Sequence, residues 1–350
     1  MLRFYKQKIF ISFSVSSQYP AHNNNNNNNN MDNLDGNCIG RSGNNRNYND
    51  SPDSPDFSPD TNSPLPRGTA LMSSSRDAMY YNMNRKIRGL AFIFNHQKYE
   101  DPVENPERKG TDVDARKLES CFRKLDFDVH LFNDLRLEEI EFQVDFAVQT
   151  DHNKYDCFVM VVLSHGDVDK LSAKDQNYNP KEVLFDRFTS DKCLSLAGKP
   201  KLFFIQACQG GGLDYGIRLV DRKISRTEHD GLRSPYRIPV LADFLIMYAT
   251  CEGQYAFRNT HTGSFFITVL CEELGRLSHT ENLLTILTVV IRRVAVEFVS
   301  NNEIYKDYHD RKQVPYFHSA LTRLVRFQRD YILDNNNGQP GAEFISTKRI

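Results

Sequence analysis

The 350-residue chain has no tryptophan, although it carries 24 phenylalanines and 16 tyrosines. Any aromatic site in it therefore lacks an indole N–H donor and is built from phenyl rings and phenols. Its seven cysteines are Cys38, Cys121, Cys157, Cys193, Cys208, Cys251 and Cys271, and no two of them make a C-x-x-C pair. That absence and the odd count argue against a zinc ribbon, a dithiol redox motif and a disulfide framework, and fit a reducing, cytoplasmic setting. Neither sign of charge is in excess: Lys plus Arg number 44, Asp plus Glu 45, and the net charge is −1. Nothing global points to nucleic acid or to an acidic membrane surface. No apolar run approaches the ~20 residues that a spanning helix needs. No cofactor or metal is expected.

Residues 1–84 lack apolar anchors. An asparagine tract fills Asn23 to Asn30, Ser-Pro-Asp repeats follow between Ser51 and Asp60, and the stretch reads as a disordered Asn/Ser/Pro-rich segment. Met1 to Ser17 is basic, hydroxylated and free of acidic residues, a composition shared with presequences. Serines interrupt its apolar core, however, and Met31 stands as an alternative start. From about residue 85 strand and helix patterns alternate. Leu90 to Phe94, Phe127 to Phe132, Tyr155 to Ser164, Lys201 to Ala207 and Phe244 to Ala249 read as strands. Pro315 to Leu324 reads as an edge strand opened by proline. Helices are expected after Asp112 as N-cap, over Leu137 to Val148, from Pro180 through Phe188, and along the Phe266–Leu277 and Leu283–Phe298 stripes. The alternation predicts an α/β sandwich: a mostly parallel six-stranded sheet with helices on both faces. Gly212 to Pro239 breaks the pattern as a long charged loop, a length that usually carries function. Asp334 to Ile350 is a polar tail.

Two strands end in chemistry. The apolar run Leu202 to Ile205 leads into Gln206-Ala207-Cys208-Gln209-Gly210-Gly211, and the run Asp156 to Leu163 leads into Ser164-His165-Gly166. Open α/β sheets place ligands at the carboxyl ends of their strands, so a thiol and an imidazole can meet there. Alone, Cys208 is more often a buried inert cysteine and His165 a structural histidine. Together they suit a cysteine nucleophile with a histidine partner.

Gln206-Ala207-Cys208-Gln209-Gly210 with the upstream Ser164-His165-Gly166 resembles the caspase signature. Arg108-Lys109-Gly110-Thr111-Asp112-Val113-Asp114 resembles that family's first specificity loop. Tyr255-Ala256-Phe257-Arg258-Asn259 resembles its second, and Gly263-Ser264-Phe265-Phe266 the helix start after it. The similarity runs from about Lys86 to about Phe327 and is greatest to animal executioner caspases. It implies a caspase-like sandwich with a large-subunit region at 85–230, a small-subunit region at 231–330 and a tail at 331–350. It implies catalysis by Cys208 and His165, with the N–H groups of Gly166 and Cys208 as oxyanion hole. Arg108, Gln206 and Arg258 are then the pocket for a substrate aspartate, with Tyr255, Phe257 and Phe265 as its neighbouring walls. Departures are Gln209 where arginine is commonest, Ala256 for serine, and Phe257 and Phe265 for tryptophan.

The same resemblance implies a zymogen cut after its own aspartates: Asp230, followed by Gly231, within the loop, and Asp77, followed by Ala78, for removal of the amino-terminal segment. Asp214, Asp221 and Asp60 are secondary candidates. Expected partners are proteins with exposed aspartate sites, an upstream initiator protease, inhibitor-of-apoptosis proteins and a second copy of the chain, with apoptosis as the output. A metacaspase or legumain-like specificity for basic residues conflicts with two pocket arginines. The alternative from another class is a non-catalytic caspase homologue that regulates an active partner.

Overall fold

A computed structural model describes residues 70, 72–214, 239–302 and 305–328. Its central strand logic is visible in β1 (Ile87–Asn95), where successive side chains enter different cores. Ala91 and Ile93 join one apolar cluster, and Leu90, Phe92 and Phe94 join the other. The next central strand, β3 (Tyr155–Leu163), repeats the split with Val159, Val161 and Leu163 against Phe158, Met160 and Val162. Strands buried on both faces need helices on both faces, and parallel neighbours need crossovers to supply them.

The large sheet has the order β2-β1-β3-β7-β8-β9, with β2 at Phe127–Asn133, β7 at Lys201–Gln206, β8 at Phe244–Tyr248 and β9 at Tyr316–Ser319. All its pairings are parallel except β8 with the edge strand β9. Helices α1 (Thr111–Lys124), α4 (Phe265–Leu277) and α5 (Leu283–Glu297) cover the first face. Helix α2 (Leu137–Gln149) covers the second with the short α3 (Pro180–Val183) and the turns after it. Phenylalanine supplies most of the second core: Phe158 stacks on Phe188 at 4.5 Å, and Phe203 lies parallel to Phe244 at 5.8 Å. The α/β sandwich expected from the alternation is present.

Four expectations are corrected. The helix from Pro180 lasts one turn: Leu184 and Phe188 are buried, but on a 3-10 turn that a helical spacing of four mimics. The last strand is four residues long, not ten: its pairing ends at Ala320, bonded to the Phe244 carbonyl and the Asp243 N–H, where Asp243 leaves strand geometry at φ 69. The cap of α1 is Gly110, in the left-handed region at φ 88, while Asp112 sits in the first helical turn. The folded part also begins before residue 85. Tyr81 and Met83 are buried, the Tyr81 hydroxyl donates to Asp243 at 2.7 Å, and Tyr80 bridges Leu324. Buried Arg88 ties this strap down, donating to the Met83 carbonyl while reaching Asp156 at 3.4 Å and the Phe327 carbonyl at 2.6 Å. One feature had no counterpart in the sequence pattern: a small antiparallel sheet of β4 (Gly166–Asp167), β5 (Lys170–Ser172) and β6 (Asn177–Tyr178).

Candidate active site

Strands β3 and β7 run side by side in register, with Leu163 opposite Gln206, and the Ser164 N–H continues the ladder to the Gln206 carbonyl at 3.2 Å. His165 and Cys208 each stand two residues beyond that last pair, so the sheet delivers both to one edge. Gly166 fixes the closeness of approach. A Cβ there would fall 2.9 Å from the Cys208 carbonyl and 2.8 Å from that of Lys170. Only hydrogen fits.

The Cys208 thiol is partly buried beside Ala256, whose backbone N–H donates to its sulfur at 3.5 Å. Burial pushes its pKa up; that N–H and the charges of Arg108 and Arg258 pull it back in part. Burial pulls the His165 imidazole down to about 4, against the Pro106 hydrogen bond, and the same two arginines add to the fall. The resting pair is thus neutral thiol and neutral imidazole near pH 7. The His165 Nε2 faces the Pro106 carbonyl at 2.7 Å. With Nε2–H donating, Nδ1 is the basic nitrogen. Tyr99 braces the ring at 5.1 Å, and its hydroxyl accepts the His165 backbone N–H at 3.1 Å.

Arg108 is 2 % exposed and donates through Nη1 to the His96 carbonyl at 3.0 Å and to Thr111 Oγ1 at 2.8 Å. Its second terminal nitrogen stands 3.5 Å from the Gln206 carbonyl. Arg258 donates through Nε to the Lys109 carbonyl at 3.0 Å, so the two arginine loops are tied directly. Gly110 makes that contact: a Cβ on it would meet the Asn259 carbonyl at 2.5 Å. Burial lowers both guanidinium pKa values, and Arg108 repels Arg258, whose value falls to about 10. Among the described residues neither guanidinium has a carboxylate at ion-pairing distance. Gln206 is 1 % exposed, and among the described residues its side-chain oxygen has no hydrogen-bond partner. The corner holds a buried cation, a half-buried cation and an amide, with Asp114 near but not ion-paired to either arginine, an arrangement that favours binding an anion.

Comparisons with known proteins give the family. The caspase-domain family profile matches residues 88–326. The chain belongs to the caspase family. It is 46% identical over 267 residues to Caspase-1 of Spodoptera frugiperda, covering 76% of this chain and 87% of that one. Caspase drICE of Drosophila melanogaster is 43% identical over 262 residues, 75% of this chain and 76% of its own. The crystal structure of the Spodoptera caspase-1 superposes with a TM-score of 0.69 at 44% identity, covering 75% of this chain and all of that one.

Within the caspase domain the expected aromatic wall takes a form set by the missing tryptophans. Phe257 and Phe265 both pack on Phe298, at 5.5 and 5.7 Å, and the three line a cleft of about 490 Å³ beside Arg258. Tyr255 sits edge-on at 5.4 Å to Tyr308, which lines the same cleft. Asp77 is exposed in a turn, and Asp214 lies at the last described residue before the loop. Asp230, Gly231, Asp221 and Asp60 lie outside the described residues, as do the boundary at 230/231 and the polar tail. Sequence reasoning missed Tyr99, Pro106, Phe298 and Gln313. The last accepts the Phe257 N–H at 2.8 Å and donates to the Ala249 carbonyl at 2.7 Å. None belongs to a local motif. Their roles come from chain segments that meet only on folding.

Proposed function

We propose that the chain is an aspartate-directed cysteine endopeptidase made as a zymogen. The observation that carries this reading is the pair of guanidinium groups beside the Cys208 thiol, Arg108 buried and Arg258 half-buried, with no carboxylate at ion-pairing distance among the described residues. A substrate aspartate relieves their repulsion, and each fork can grip one carboxylate edge bidentately. Gln206 supplies a neutral amide between them. Cys208 attacks the carbonyl after giving its proton to His165, the route expected of a neutral thiol–imidazole pair. His165 then protonates the departing amine. Backbone N–H groups of Gly166 and Cys208 hold the oxyanion. Phe257, Phe265 and Tyr255 contact residues further from the cut.

Processing occurs in the 212–239 loop, after Asp230, giving a fragment with Arg108, His165 and Cys208 and another with Arg258. Because β7 of one pairs with β8 of the other, the fragments stay associated. Asp77 is the site for amino-terminal removal, supported by its exposed turn. The remaining parts of the reading are a cytoplasmic location, an upstream initiator protease, binding of inhibitor-of-apoptosis proteins and a role in apoptosis. Pairing of two copies along the β9 edge completes it.

A non-catalytic regulator is the competing reading, and one experiment separates the two. Purified protein is incubated with peptides that differ only in aspartate or asparagine before the cut, and with an aspartyl aldehyde. The proposal expects cleavage of the aspartate peptide alone and stoichiometric loss of the Cys208 thiol. Equal cleavage of both peptides overturns the pocket, and no cleavage with an unreacted thiol supports the regulator. Mass spectrometry of the active protein tests the processing: termini at neither Asp230, Asp214 nor Asp221, or full activity uncut, overturn it.

A further inference from the structure

Outside the strand-end corner, nucleophilic side chains also gather in a second place among the described residues. Helices α1 and α4 lie side by side on the first face of the sheet, and a groove of about 630 Å³ runs between them. Lys117, Ser120, Cys121 and Lys124 line it from α1, at the spacing of one helical face. Thr268, Cys271 and Gly275 line it from α4, again at helical spacing, with Ser278 and His279 just beyond. Gly275 stands one turn after Cys271, and a Cβ built on it would meet nothing within 4 Å. The missing side chain leaves the floor of the groove open to small solutes.

Two thiols form that floor. Cys121 is 8 % exposed and Cys271 partly buried. The Cys121 thiol donates to the Cys271 carbonyl at 3.9 Å, and both side chains line the groove. The thiols are thus neighbours across a helix–helix contact, 150 positions apart in sequence. The neighbouring Cys271 thiol and the Lys124 charge favour the Cys121 thiolate, and the same neighbour together with burial opposes ionisation of Cys271. Cys121 is therefore the one that ionises first, with Cys271 placed to resolve it. The other buried thiols differ. Cys157 and Cys193 donate to backbone carbonyls, and burial raises both.

We propose that Cys121 and Cys271 are a dithiol modification site, closed by hydrogen peroxide to a disulfide that staples α1 to α4. The Cys121 thiolate attacks one peroxide oxygen, gaining S–OH while the O–O bond breaks and the other oxygen leaves as water. The Cys271 sulfur then displaces that hydroxyl as a second water. Overall two thiols lose two protons and two electrons, and one peroxide becomes two waters. In a reducing compartment the pair rests open. The closed form joins a helix that starts three residues after Arg108 to one that starts seven residues after Arg258. It would bridge the two fragments wherever the loop between them is cut.

The test uses the full chain as Cys208→Ala, so that the thiol at the strand ends consumes no oxidant. It is titrated with hydrogen peroxide, blocked with an alkylating agent, digested and mapped by mass. The expected product is one cross-linked peptide pair carrying Cys121 and Cys271, 2 Da lighter than the sum of its parts, restored to thiols by dithiothreitol. Closing so long a loop should also raise the unfolding midpoint by several degrees, a rise that Cys271→Ser abolishes. Recovery of both cysteines as free thiols at oxidant levels that oxidise other cysteines overturns the proposal. So does their conversion to separate sulfinic or sulfonic acids. These readouts require no peptidase activity, so failure here is distinct from failure of the endopeptidase reading.

Discussion

At the residue scale the sharpest question is how much each strand-end group contributes alone. Cys208→Ala should abolish peptide cleavage with little effect on stability, since the thiol's contacts are two weak backbone ones at Ala256. His165→Ala should cost nearly as much, because nucleophile and acid act as one unit and their losses do not add. Substantial turnover by Cys208→Ala, measured with active-site titration, overturns the assignment. The two arginines should separate by position. Arg258 is held by one carbonyl bond and can be truncated without breaking the fold. Arg258→Ala should then lose about 2–5 kcal/mol of transition-state stabilisation, as expected for one partner of a buried charge pair. Arg108 is itself part of the core, bonded to His96 and Thr111, so Arg108→Ala should also lower the unfolding midpoint. Thermal melts and kcat/KM on an aspartate peptide separate those outcomes; equal melts for both variants count against this reading.

At the element scale the site depends on where loops meet helices. Gly110 is the cap of α1 at φ 88 and also the contact with the Asn259 and Thr260 carbonyls, 2.5 and 2.8 Å from a virtual Cβ. Gly110→Ala should cost about 1–2 kcal/mol for the left-handed conformation alone. The displaced loops should raise KM for an aspartate peptide more than they lower kcat. An unchanged KM in steady-state assays is evidence against that coupling. This scale also shows what the sequence could reveal. Strands β1, β3, β7 and β8 were legible because long apolar runs bounded by polar residues admit few readings. His165, Cys208, Arg108 and Arg258 were legible because each stands in a local motif. The hairpin strands β4 to β6 were not, since two or three residues have no period. The Pro180 helix was overread because Pro180, Leu184 and Phe188 keep helical spacing across two short turns. Tyr99 and Gln313 act through contacts separated by 66 and 64 positions, which no local pattern encodes.

At the scale of the whole molecule, the buried histidines make stability depend on pH. His96 and His152 are fully buried, and burial lowers both to about 4; a backbone hydrogen bond from His152 to the Ala147 carbonyl does not restore it. His165 shifts the same way. In the unfolded chain each titrates near 6.5, so between 6.5 and 4 the unfolded state binds more protons than the folded one. Stability therefore falls as pH falls through that window, by about 2 kcal/mol for each fully buried histidine between pH 7 and 5. Asp114 works in the opposite sense. Burial raises its carboxyl to about 6 despite two bonds from the Ser264 N–H, so the folded state takes up a proton first and regains about 1 kcal/mol. The histidines outnumber it, and the net slope is downward. Urea unfolding of Cys208→Ala at pH 7 and pH 5 should show a clearly lower midpoint at pH 5 with an unchanged m-value. A midpoint that stays level or rises means the histidines are solvated in the folded state. His152→Gln should flatten the slope by about 2 kcal/mol over the same interval if the imidazole itself is the source.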